Sequence, residues 1–143
     1  MAIETLFTAH AVSEGGRNGY TKADDGLIHV NLSVPKPMGG PGKPDTTTPE
    51  HLFAAGYAAC FGGACDYQAK LQKIPVSKLV INTAVSIGKS EDGGFGLAVT
   101  LDVEVGGVSQ EDAEKVVNAG HAFCPYSKAI KGNVDVTVNT KAV

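Results

Sequence analysis

Tryptophan is absent from the 143-residue chain and aromatic residues make up only 6% of it. That removes the usual material for base-stacking platforms and aromatic cages. Positive charge is never concentrated: the net charge is -3, and the lysines are scattered with no basic block. Nucleic acid and anionic membrane are therefore not expected as main partners. No run of about 20 apolar residues is present, and no basic segment precedes an apolar one near the start, so a cytosolic protein without a membrane span is expected. Walker-type phosphate loops, dinucleotide glycine fingerprints and Gly-x-Ser-x-Gly elbows are missing as well.

Arginine is the scarcest charged type. Arg17 is the only one among twelve Lys and Arg residues, and a planar, permanently charged fork suits one defined anionic partner better than lysine does. Cysteine occurs three times, at Cys60, Cys65 and Cys124. Three thiols make no disulfide framework, and in a reducing compartment they serve metal binding, redox chemistry or packing. His121 and Cys124 have ligand-like spacing, but no Cys-x-x-Cys or His-x-x-x-His pair accompanies them, so no metal site is expected.

The length and the 43% hydrophobic content are those of a single domain, residues 1–143. Alternation over Glu4–Val12 predicts a first strand; turns at 13–19 and 24–26 lead to strands near 20–23 and 27–34, a meander over residues 1–34. The Pro- and Gly-rich stretch 35–47 predicts a linker or lid. Thr48 followed by Pro49 and Glu50 marks a helix start, and the apolar, small residues that follow predict a helix over 48–73 buried on most sides. Two alternating segments predict an antiparallel hairpin over 78–105, and Ser109 begins a helix over 109–123. Cys124-Pro125 interrupts that helix, a new turn occupies 124–131, and a last strand covers 133–140. The fold class is α+β, antiparallel sheets packed on a long central helix.

Cys60 lies in the middle of the long predicted helix. A thiol becomes a nucleophile when it ionises, which in a buried position requires a nearby positive group. Arg17 is the candidate for that group and Glu50 the candidate for orienting it. On one straight helix Glu50 and Cys60 would stand about 15 Å apart along the axis, so either the helix breaks near Gly56 or a second subunit supplies Arg17 and Glu50. Cys124 is the natural second thiol, able to convert a sulfenic acid at Cys60 into a reducible disulfide. Cys65, about 140° round the helix from Cys60, is expected to pack.

The run Pro49-Glu50-His51-Leu52-Phe53-Ala54-Ala55-Gly56-Tyr57-Ala58-Ala59-Cys60-Phe61 closely resembles the organic hydroperoxide resistance proteins of the osmotically inducible protein C superfamily. So do Gly15-Gly16-Arg17, Cys124-Pro125-Tyr126-Ser127-Lys128-Ala129 and Gly132-Asn133-Val134-Asp135-Val136, and the resemblance runs from the first strand to the last. It implies an intertwined α+β homodimer and a thiol-dependent peroxidase that needs no metal or bound flavin and takes electrons from lipoylated proteins. Cys60 would be the peroxidatic residue, Cys124 the resolving one in an intramolecular disulfide, and Arg17 and Glu50 the pair that activates the thiolate. Phe53, Tyr57, Phe61 and Met38 would give an apolar lining that favours organic hydroperoxides over hydrogen peroxide. Thr48 and His51 stand where asparagine and glutamine are common, and Cys65 is an extra thiol. Two other readings remain: a non-catalytic thiol sensor or ligand-binding protein, and the sister branch of the superfamily with broader peroxide use.

Overall fold

A computed structural model describes residues 1–143, which fall into two compact units, Met1–Leu52 and Phe53–Val143. The first contains an antiparallel meander of β1 (Ala11–Glu14), β2 (Tyr20–Ala23) and β3 (His29–Asn31). Ala11 pairs with Ala23 and Tyr20 with Asn31. The β2–β3 turn is closed by Asp25, whose carboxylate accepts the Leu27 N–H at 2.8 Å, the local bonding for which aspartate is favoured in turns. Between β1 and β2 the chain makes a 3-10 turn, Gly16–Asn18. Gly19 is obligatory at its exit, because a Cβ there would overlap the Glu14 carbonyl.

The first strand is shorter and later than the predicted Glu4–Val12. Ladder pairing begins only at Ala11, and Ile3, Leu6 and Phe7 are exposed; alternation marks a segment fit for a sheet face but does not supply a partner. The third strand is likewise cut to three residues, with Leu27 exposed and Leu32 buried. The Pro- and Gly-rich stretch is tied to the end of the meander. Thr47 N–H donates to the Asn31 carbonyl at 2.9 Å, Ser33 N–H to Thr47 at 3.2 Å, and Gly42 N–H to Val34 at 2.9 Å.

Helix α1 runs without interruption over Pro49–Leu71. Thr48 caps it, its hydroxyl accepting the His51 N–H at 3.2 Å, with Pro49 at the first position where its missing N–H is not needed. No break occurs at Gly56. In the single chain the predicted burial on most sides is full on one side only: Tyr57, Phe61, Ala64, Cys65 and Ala69 follow the i, i+4, i+7, i+8, i+12 spacing of a single helical face. Ala55, Ala59 and Gly63, four residues apart on another side, are exposed in the single chain.

The second unit is built on a sheet of order β4-β5-β6, from β4 (Lys78–Lys89), β5 (Phe95–Gly106) and β6 (Asp135–Ala142). The β4–β5 hairpin is antiparallel in unbroken register from Lys78–Gly106 to Lys89–Phe95. The last strand departs from the antiparallel expectation: β6 runs parallel to β5, Ala98 beside Asp135 and Val105 beside Ala142. The sheet is therefore mixed, because α2 (Gln110–Phe123) and α3 (Pro125–Ile130) return the chain to the end of the sheet from which β5 started. Val99, Leu101, Val103 and Val105 alternate inward from β5 onto Val116 and Val117 of α2 and the buried face of α1.

Ser109 caps α2 by accepting the Asp112 N–H at 3.1 Å, and the Gln110 amide reaches the end of β6, donating to the Thr140 carbonyl and accepting from Ala142 N–H, both at 2.8 Å. Gly120 of α2 lies directly on Cys65 of α1. No helix is long and apolar enough to cross a membrane.

Candidate active site

Cys124 is shared between two helices. Its N–H donates to the Gly120 carbonyl at 2.8 Å, closing α2, while its own carbonyl accepts the Lys128 N–H at 3.0 Å and opens α3. Pro125 forces the change, since proline drives the residue before it out of the helical region; Cys124 accordingly has φ -59°, ψ 122°. This double anchoring fixes the backbone that carries the thiol. It is buried, and its sulfur lies 3.6 Å from that of half-buried Cys60, 64 residues earlier in the chain.

Burial pushes the Cys60 thiol pKa up, the Tyr126 N–H opposes this by donating to the sulfur, and the adjoining Cys124 raises it further. Inside the second unit, then, Cys60 is placed for reaction with Cys124 but held toward the protonated thiol. Cys65 is a different case: it is fully buried, and burial takes its pKa to about 12, the behaviour of a packing cysteine.

The other expected pair also forms, in the first unit. Arg17 on the 3-10 turn makes a two-point contact with Glu50, Nη1 to Oε2 at 2.9 Å and Nη2 to Oε1 at 2.6 Å. The Arg17 fork holds the Glu50 carboxyl below its ordinary range, and Glu50 raises Arg17 in turn. The depressed carboxyl contributes stability that is present above its unfolded pKa and lost as pH falls through the lower, folded value. With Arg17 38% exposed, that contribution is modest. Arg17→Ala should therefore move the Glu50 carboxyl titration upward toward the ordinary value, as read by carbon NMR of the side chain; an unmoved titration would show that the fork does not set it.

Of the expected lining residues, Phe53, Tyr57 and Phe61 form an edge-to-face series along α1 with ring centroids 6.0 and 6.3 Å apart. Met38 ends the 3-10 turn Lys36–Met38 of the first unit and is half-buried. His121 lies with its ring 6.0 Å from Phe61 and its Nδ1 2.9 Å from the Ser127 hydroxyl. No three His, Cys, Asp or Glu side chains gather where they could hold a metal ion. Sequence reasoning missed the Tyr126 N–H and the Ser127 hydroxyl. Ser127, three residues after Cys124 on a helix, could have been found by asking which groups share a face with the thiol.

A capped helix carrying one thiol, set against a helix–proline–helix junction carrying another, over a mixed three-stranded sheet, defines the class. The chain belongs to the OsmC-like protein family, whose model matches residues 40–139. It is 48% identical to the organic hydroperoxide resistance protein OhrB of Bacillus subtilis over 95% of this chain and 98% of the relative. It is 43% identical to an organic hydroperoxide resistance protein of Xanthomonas axonopodis pv. citri over 94% of each. Among solved structures, an organic hydroperoxide resistance protein from Elizabethkingia anophelis superimposes with a TM-score of 0.92 at 40% identity, covering 99% of this chain and 100% of that one.

Proposed function

We propose that this protein is a cysteine-based peroxidase that reduces organic hydroperoxides, alkyl or fatty-acid, to alcohols. The observation that carries this reading is the 3.6 Å approach of Cys60 and Cys124: one thiol half-exposed, the other buried and fixed at a helix junction. Cys60 thiolate attacks the distal peroxide oxygen, the O–O bond breaks, and the departing alkoxide takes a proton to become the alcohol. The Cys60 sulfenic acid is then attacked by Cys124, giving a disulfide and water. An external dithiol, of the kind carried by lipoylated proteins, restores both thiols by exchange. No bound cofactor takes part.

Arg17, oriented by Glu50, supplies the positive charge that a buried thiolate and a developing oxyanion need. With α1 unbroken from Pro49 to Leu71, ten residues of helix hold Glu50 and Cys60 about 15 Å apart along the axis. We read the pair serving one Cys60 as that of a second copy of the chain in a homodimer, a reading supported by the exposed Ala55, Ala59 and Gly63, which offer a side of α1 on which that copy can pack closely. Half-buried Phe53, backed by the fully buried rings of Tyr57 and Phe61, offers the apolar surface on α1 that favours an apolar peroxide substituent.

One equivalent of cumene hydroperoxide should convert the reduced protein to a 60–124 disulfide, seen by mass spectrometry of non-reduced peptides. With a dihydrolipoamide system present, many equivalents should be consumed. Consumption that stops at one equivalent would replace the peroxidase by a thiol sensor, and equal rates with hydrogen peroxide would point to the branch with broader peroxide use.

A further inference from the structure

Tyr57 stands one helical turn before Cys60 on α1, and Ser127 one turn after Cys124 on α3. Their hydroxyls meet at 2.6 Å, and the Ser127 oxygen lies 2.9 Å from Nδ1 of His121 on α2. One hydrogen-bond chain thus ties together the two helices that carry the thiol pair and the helix that leads into it, alongside the 3.6 Å contact between the sulfurs. Tyr57 and Cys124 have no exposed surface and Ser127 has 4%, so water does not substitute for these bonds. With the imidazole accepting at Nδ1, Ser127 donates to His121 and accepts from Tyr57, and both hydroxyl hydrogens have an acceptor. Burial and nearby Lys131 lower the His121 pKa, which favours that neutral ring.

We propose that the Tyr57–Ser127–His121 chain is the positioning device for disulfide closure, holding α3 against α1 so that the Cys124 sulfur stays within reach of Cys60 after Cys60 is oxidised. The inference rests on the peroxidase reading above. In the closing step the S–S bond forms as the S–O bond of the sulfenic acid breaks, and the Cys124 proton leaves with the hydroxyl as water. The sulfurs must come closer by about 1.5 Å to reach bonding distance. The competing fate is a second oxidation of Cys60 by peroxide to the sulfinic acid. Which fate wins depends on how closely Cys124 is held, and a misplacement of about 1 Å can cost on the order of a hundredfold. Tyr57, Ser127 and His121 act here through the placement of Cys124 and touch no reacting atom in this step.

The test is the partition of oxidised Cys60 between disulfide and sulfinic acid at graded cumene hydroperoxide, read by mass spectrometry after rapid quenching. The ratio is read on the folded fraction, isolated by size exclusion before oxidation, because unfolded chains no longer hold Cys124 beside Cys60 and would themselves yield sulfinic acid. Ser127→Ala and Tyr57→Phe should each shift it at least about tenfold toward sulfinic acid, and Ser127→Thr, which keeps the hydroxyl, should restore it. The double variant should be no worse than Ser127→Ala alone, since that change already removes both bonds of the Ser127 hydroxyl, the one to Tyr57 included. Tyr57→Phe retains the ring and its packing, so it decides the matter even if Ser127→Ala fails to fold. Single variants that partition like the wild type, or a double effect equal to the product of the two, would overturn the inference. A wild-type protein forming no 60–124 disulfide would instead overturn the peroxidase reading, and this device with it.

Discussion

Cys60→Ser should abolish organic hydroperoxide turnover, by at least about a thousandfold under a dihydrolipoamide assay. A serine hydroxyl in this position ionises far less readily than a thiol and forms no stable sulfenic equivalent, so neither half of the cycle survives. Cys124→Ser should behave differently: a stoichiometric first oxidation, then a stall as Cys60 proceeds to sulfinic acid with no partner 3.6 Å away. Cys65→Ser is the control, because that thiol is fully buried, its pKa pushed up to about 12, and has no place in either step. Turnover retained by Cys60→Ser, or lost with Cys65→Ser, would move the chemistry to another thiol.

A large effect on stability is expected from Gly120→Ala. A Cβ at 120 would overlap the Cys65 sulfur and stand 3.1 Å from the Cys65 Cα and N. The second contact is with the backbone of α1, so a change of rotamer cannot relieve it, and α1 and α2 must separate. Overpacking of this kind costs about 1–3 kcal/mol, and melting should fall by roughly 3–10 °C for a chain of this size. Cys65→Ala in the same background should return part of the loss by removing the sulfur but not the backbone contact. A Gly120→Ala protein melting with the wild type would mean that the two helices are free to move apart. Cys124 closes the same helix by bonding to the Gly120 carbonyl, so such a separation would also disturb its thiol.

Local chemistry announced much of this molecule in the sequence. Thr48-Pro49 and Ser109 fix helix starts because caps and first-turn proline act within four residues. The β4–β5 hairpin follows from two matched period-two runs with a turn between them, and the interruption at Cys124-Pro125 from the steric demand of proline. Failures occurred where the deciding partner is distant. Nothing within Asp135–Ala142 says that it will run parallel to β5; the direction is set by how α2 and α3 return the chain. Residues Glu4 to Ala9 lie in no ladder of the single chain despite their alternation, and the burial of α1 on one side alone shows only when its neighbours are placed. The thiol pair and the Arg17–Glu50 pair, each within its own unit, were legible because their chemistry is carried by side-chain type. The Tyr126 contribution was not, since any non-proline residue has a backbone N–H.

The 64-residue separation of Cys60 and Cys124 ties redox state to mechanical cohesion. A bond closed between them would cross-link helix α1 to the α2–α3 junction through nearly half the chain, and would remove loop-closure entropy from the unfolded state worth about 4 kcal/mol in the simplest treatment. Turnover would then alternate the fold between a laced and an unlaced form. The unlaced one, with Cys60 and Cys124 free, is the easier to unfold, so a cell exposed to peroxide would hold its most durable copies of the protein just when it depends on them.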